Sequence, residues 1–520
     1  PIQATRTLSG ANATIMVDND HLTAEGTGAL NDVPMQFAWE EVFAGEDEIT
    51  TRVDVSGTLD EEARGRLRLT TPEWLSGPVE VSANFTGRRF DFREAEVTAD
   101  LSAVSIDLEA INLVKESGAP MTGTGTVAFL EGGAAHIGNM RVTGGDISLT
   151  GELDLDATGR LVAASLPSVR YGEVGDLSIV LDAAPGMAPS WRIAGRSLDA
   201  SRIFADDEEA EPPAEVAAEE RKPLAPITLI ADMDSVLLRE GVTLRDVAFR
   251  LGISEGERLT DFYIDAQGPG DGIIEGRFVR GETRGITLHS DNAGEFVEAF
   301  TGFQSLHDGE IDIEASFRPD TEALSTVPGP DYSGTIRITN FTVVDQPFVA
   351  RLFSIGSLDG PLRLLQGDGI PFSELEAPFV AHGGNVALRD GTASGMAMGL
   401  SFQGVIDRDN DTMDVNGSLV PLFGLNNMLG ALPIVGDILV SKEGEGIIGL
   451  TYAARGDLDE PQVMVNPLSV LTPGIFRRMF EFGGPPPEEM GPTTMVPVAP
   501  SSPAQTAPGG AANSAPIQTE

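Results

Sequence analysis

Cysteine is absent from all 520 residues, which excludes disulfides, thiolate chemistry and Cys-ligated zinc while leaving the cellular compartment open. Cations are scarce: 34 Lys and Arg stand against 80 Asp and Glu, for a net charge of −46. Too few basic side chains remain to displace counterions from phosphates, so nucleic acid is not an expected partner and electrostatic docking on anionic lipid is disfavoured. Aromatics make up only 6% of the chain, so any core must be mainly aliphatic. No uncharged apolar run reaches the ~18 residues of a membrane helix. The nearest approach, Leu419 to Val440, is interrupted by Pro421, Asn426, Asn427, Pro433 and Asp437. The chain opens at Pro1 without an initiator Met, a basic segment or an apolar stretch. It is expected to be a fragment from which any targeting segment has been removed.

Glycine and proline, by contrast, are abundant at 60 and 34 residues, which favours many strands and turns over long helices. Period-two alternation recurs along the chain, the pattern of strands with one dry face. From Asp146 to Asp156, Ile147, Leu149, Leu153 and Leu155 alternate with Asp, Ser, Thr and Glu, so one face is oily and the other acidic. Glu310 to Arg318 repeats the scheme with Ile311, Ile313, Ala315 and Phe317, and so do Val79 to Phe85, Leu177 to Leu181, Ile336 with Ile338, and Ile448 to Tyr452. Gly144-Gly145, Asp308-Gly309, Asp390-Gly391 and Asp409-Asn410-Asp411 read as the turns between such strands. The expected fold is mostly β: an elongated, twisted, mostly antiparallel sheet curled into a hydrophobic groove, with a few short helices.

Two β-rich blocks, 1–203 and 227–482, are expected on either side of an acidic Ala/Pro-rich linker at 204–226, followed by a disordered Pro/Ala-rich tail at 483–520. Short helices are predicted at Glu295 to Phe303 behind the cap signal Asp291-Asn292, at Pro347 to Phe353, and at Leu425 to Leu432. Leu468 to Phe482 reads as an amphipathic piece.

Patterns that imitate chemistry fail on context. Gly252-Ile253-Ser254-Glu255-Gly256 fits a nucleophile elbow, but strand spacing follows where a helix is required, so it reads as a hairpin tip. Gly444 to Gly449 fits a dinucleotide fingerprint, but a strand follows it and Glu445 would repel phosphate. Asp407, Asp409 and Asp411 imitate a calcium loop, yet Thr412 stands where Gly is needed and Ser418 where Glu is needed. His21, His136, His289, His307 and His382 are far apart, and none is paired at the helical spacing of metal ligands. The chain is expected to be no enzyme and to need no cofactor or metal.

Between Ser290 and Leu471 the ordered segments SDNAGEFVEAFTGF, DGEIDIEASF, SGTIRITNFTVVDQPFVARLFS, GGNVALRDGTASG and NGSLVPLFGLNNMLGALPIVGDILVSKEGEGIIGLTYAARGDLDEPQVMVNPLSVLTPG follow one another. This order resembles the C-terminal region of the AsmA-like family, in particular its YhdP type, with more distant kinship to TamB. The resemblance implies a bridge-like lipid transfer protein of the Gram-negative periplasm, held in the inner membrane by an N-terminal helix that these residues do not include. Expected partners are phospholipid acyl chains, membranes at the two ends, and an envelope protein. The alternation itself adds a physical reason. A sheet with one apolar face and few helices to cover it can curl into a trough in which acyl chains replace the missing layer. Ile147, Leu149, Leu153, Leu155, Ile311, Ile313, Phe317, Ile336 and Ile338 are the expected groove lining. Phe423, Leu425, Leu432, Ile434, Phe476, Met479 and Phe480 are the expected membrane or partner contact. The alternative is a structural or scaffolding β-protein of the bacterial envelope, its apolar face filled by its own side chains.

Overall fold

The structure, a computed structural model, describes residues 7–43, 49–67, 69, 72–88, 91–184, 186–204, 226–254, 258–280, 284–317, 332–344, 369–382, 385–408, 410–421, 450–458 and 461–466. The amino-terminal strands are β1 (Leu8–Val17), β2 (His21–Leu30), β3 (Val33–Val42), β4 (Thr51–Leu59), β5 (Leu75–Ser76), β6 (Val79–Arg88), β7 (Asp91–Asp100), β8 (Ser105–Leu108) and β9 (Leu113–Lys115). Next come β10 (Thr122–Phe129), β11 (Ala135–Gly144), β12 (Ile147–Leu155), β13 (Leu161–Tyr171), β14 (Gly175–Asp182) and β15 (Ser190–Asp199). β16 (Ile227–Arg239), β17 (Val242–Ser254), β18 (Arg258–Gln267), β19 (Ile273–Val279), β20 (Gly285–Ser290), β21 (Leu306–Phe317) and β22 (Tyr332–Val343) follow. The last are β23 (Ile370–His382), β24 (Asn385–Ser394), β25 (Met398–Asp407), β26 (Thr412–Pro421), β27 (Leu450–Asp457) and β28 (Gln462–Asn466). Two short helices, α1 (Glu61–Arg66) and α2 (Ala293–Thr301), complete the set among the described residues.

Twenty-five of these strands form one sheet, and the other three, β5, β8 and β9, form a small second one. The large sheet is a mostly antiparallel meander that does not close into a barrel, and each member pairs with the next member in the chain. At ~4.8 Å per strand its path is about 120 Å. One junction differs: β15 pairs with β16 in parallel, Ser190 against Thr228 and Asp199 against Leu237. The two expected β blocks therefore share one sheet across that junction. A parallel neighbour needs a crossover from one end of the strands back to the other, and residues 205–225, outside the described set, connect these two strands.

Two of the four expected turns lie elsewhere. Gly144-Gly145 joins β11 to β12, and 408–411 joins β25 to β26, but Asp308-Gly309 lies inside β21 and Asp390-Gly391 inside β24. Asp390 has φ 46°, with the ladder slipping between Leu388 and Gly391; Asn139 (φ 52°) and Asp246 (φ 50°) occupy equivalent breaks in β11 and β17. Asn and Asp tolerate the left-handed region, and each such bulge bends its strand and adds twist, which curls the sheet.

The buried core runs along one set of strand ends, here the closed rim. Met121 before β10, Ile147, Ile274, Ile370, Met398, Leu419 and Leu450 are all at most 6% exposed there. Small elements cover this rim. Ile111 and Leu113, at the start of β9, belong to the same cluster as Ala200 after β15. Asn112 donates to Asp199 (2.9 Å) and Ser201 (3.3 Å), and Arg202 contacts Asp107, pinning the small sheet in place. Helix α2 begins where Asn292 caps Glu295 (3.2 Å) and ends at Gly302, whose φ of 76° suits glycine. Its Phe296 and Ala299 are buried, and Phe300 meets Phe204 edge-on at 6.1 Å. Helix α1, capped by Asp60 on Ala63, covers a second, smaller cluster of Val33, Leu59 and Ala63.

Candidate functional site

On the apolar face of the strands from β1 to β10 that belong to the large sheet, aligned side chains lie outside both core clusters. Register places Phe37 opposite Val55, Val55 opposite Ala83, and Ala83 opposite Val97. Two residues along the strands, a second row joins Trp39, Val53, Phe85, Ala95 and Val127. Phe37, Trp39, Val53, Val55, Phe85, Val97 and Val127 are each half-buried, and none packs into either core cluster. Phe85 stacks on Phe129 at 6.1 Å and meets Phe92 edge-on at 5.7 Å. Their signal was present in the sequence as Met35, Phe37, Trp39 and as Val53, Val55, the same period-two alternation in a region without other landmarks.

Among the described residues, one charge stands on this face. Glu41, 8% exposed, follows Trp39 by two residues and accepts hydrogen bonds from the Thr51 hydroxyl (2.6 Å), the Thr50 hydroxyl (3.3 Å) and the Trp39 indole N–H (3.4 Å). These donors offset the cost of burying a carboxylate beside apolar rows.

The nine lining residues expected from sequence separate by position along their strands. Ile147, Ile311 and Ile338, toward the closed rim, are 6%, 3% and 5% exposed and lie in the packed core. Leu149, Ile313 and Ile336 are half-buried and lean on that core. Leu153, Leu155 and Phe317, toward the opposite, open rim, are half-buried and lie outside it. Phe317 there meets Tyr332 at 6.5 Å, and Tyr332 meets Phe379 at 6.1 Å. The face is thus filled by protein at one edge and progressively less so toward the other.

Phe423, Leu425, Leu432, Ile434, Phe476, Met479 and Phe480 lie outside the described residues, as do the helices expected at Pro347 to Phe353 and Leu425 to Leu432 and the glycines Gly444 to Gly449. Ser254 sits opposite Arg258 where β17 turns into β18, in keeping with a hairpin at the G-x-S-x-G pattern. Asp407 accepts from Asn410 (2.8 Å and 3.2 Å) in the turn after β25. The histidines behave in a way their spacing does not disclose. His136 faces Asp154 across β11 and β12, and His289 faces Asp312 across β20 and β21.

Two buried phenols are structural. Burial pushes the Tyr171 hydroxyl up to about 12 and also raises that of Tyr452, which donates to the Ser401 carbonyl (3.1 Å). Both stay neutral near pH 7. No family profile, curated protein or solved structure matches this chain. What the apolar face can do follows from its own chemistry: it withdraws hydrocarbon from water at ~0.8 kcal/mol per methylene, without a fixed polar contact.

Proposed function

We propose that the chain is a noncatalytic bridge-like lipid transfer protein that conducts phospholipid along the apolar face of its sheet. In this reading it works in the periplasm between the inner and outer membranes and supports outer-membrane assembly. The observation that carries the reading is the pair of rows Phe37–Val55–Ala83–Val97 and Trp39–Val53–Phe85–Ala95–Val127. They align across strands, yet their large side chains stay half-buried outside both cores. Acyl chains laid on such rows gain burial at each strand. Because neighbouring rows offer similar chemistry, no single position holds a lipid much more strongly than the next. Headgroups remain in water at the open rim. The envelope location, the inner-membrane anchor and an envelope protein partner rest on the AsmA-like resemblance.

One observation favours the scaffolding alternative: Ile147, Ile311 and Ile338 are already buried by the protein itself. Solvent extraction of the purified chain followed by lipid mass spectrometry separates the two readings. A conduit releases phospholipid at one or more molecules per chain, and a scaffold releases none above the level of an unrelated acidic β-protein.

A further inference from the structure

We propose that His289, Glu310 and Asp312 form a binding site for a divalent transition ion of the zinc class on the polar face of β20 and β21. The sheet register builds it. His289 lies directly opposite Asp312, and Glu310 follows on the same face two residues away. The imidazole Nδ1 is 2.9 Å from Asp312 Oδ1 and 4.0 Å from Glu310 Oε1, and one ligand atom from each of the three residues falls within 4.8 Å of the others. Zinc bonds of ~2.0–2.2 Å to nitrogen and oxygen bring ligand atoms to about 3.3 Å of one another, so the widest pair must close by at most about 1.5 Å, shared between two exposed side chains. All three side chains are open to solvent, at 41%, 54% and 50%, so an ion has access.

The local charge asks for a cation. Glu310 and Asp312 put two carboxylates on one face; Glu275, which faces His289 from the other side, is already paired with Arg277 (3.3 Å). Arg337 is the cation opposite Asp312 in register, yet its guanidinium turns to Glu374 (3.7 Å) and Glu376 (3.6 Å) on β23. The imidazole selects the ion class, since calcium and magnesium prefer all-oxygen sites. Three protein ligands leave a coordination position for water.

The chain carries its own control. His136, Glu152 and Asp154 repeat the same residue types across β11 and β12, but Nδ1 faces Asp154 (2.7 Å) while Nε2 faces Glu152 (3.9 Å). The carboxylates there lie on two sides of the ring and do not converge on one point.

The test is isothermal titration of the whole chain with Zn²⁺ in physiological salt and excess Mg²⁺, which occupies oxygen-only acidic sites. Absorption of the Co²⁺-loaded protein is recorded in parallel. The site predicts one Zn²⁺ per chain that Mg²⁺ does not displace and visible Co²⁺ bands. Affinity should fall about tenfold or more in His289→Ala, in Glu310→Gln and in the isosteric Asp312→Asn, and stay unchanged in His136→Ala. Circular dichroism of each surface variant checks that the sheet is retained. Zinc binding that Mg²⁺ abolishes, or equal binding by the wild type and His289→Ala, overturns the proposal. So does an equal loss in His136→Ala.

Discussion

At the scale of single residues, the two faces of β21 make opposite demands on a charge. Ile313 leans on the core from the apolar face, while Glu314, the next residue, points to solvent. An aspartate at 313 forfeits about 1–3 kcal/mol of apolar burial and, in the proposed conduit, sets an unpaired ion where an acyl chain would slide. Ile313→Asp should stop lipid transfer between donor and acceptor vesicles while the sheet stays folded by circular dichroism. Glu314→Lys should leave transfer intact and shift stability by less than about 0.5 kcal/mol. Equal effects of the two substitutions would remove the assignment of faces. The same alternation made Ile147, Ile311 and Phe317 legible from sequence as residues of one face. It was silent on how deep each would sit, because depth depends on which strand end the core occupies. The grouping of His289 with Glu310 and Asp312 was also hidden, since a cross-strand neighbour 23 residues away is set by register and not by spacing.

Among elements, helix α2 was readable from the cap signal at Asn292, although the expected span, Glu295 to Phe303, starts two residues late and runs past the stop at Gly302; α1 escaped notice although Asp60-Glu61-Glu62 is a cap followed by an acidic first turn. Asp308-Gly309 and Asp390-Gly391 misled for a physical reason: a positive-φ position inside a strand, such as the bulge at Asp390, and a turn draw on the same residue types. One carboxylate, Asp199, contributes to the cover of the closed rim. Burial alone would raise Asp199, but hydrogen bonds from the Ser201 hydroxyl and amide and from Asn112 outweigh it and hold the group below its ordinary 3.8. A depressed folded value means that this contribution is fully present above the ordinary value and is lost as pH falls through the lowered one. The small sheet should therefore loosen only in strong acid. Fluorescence of Trp74, whose carbonyl accepts from the Asp107 amide, should report that loosening in a Trp39→Phe, Trp191→Phe background. In Asp199→Ala the loosened signal should already be present at pH 7, and a pH response identical to the parent's would refute the role.

For the molecule as a whole, the class of fold was legible in the repeated alternation, but the parallel pairing of β15 with β16 was not, because nothing local distinguishes a strand's neighbour direction. Within the large sheet each member pairs with the next member in the chain. Such a sheet is a ruler graduated in hairpins. Removing β24 and β25 leaves β23 ending, and β26 starting, at the same rim, so their antiparallel sense survives. A chain lacking residues 385–407 should fold and, by X-ray scattering, be shorter by about 10 Å, two strand spacings. Global unfolding of that variant would show that the hairpins are interdependent. If it folds, reach becomes a heritable quantity that gene duplication adjusts in steps of one hairpin, and a gap of any width between two surfaces can be matched by counting strands.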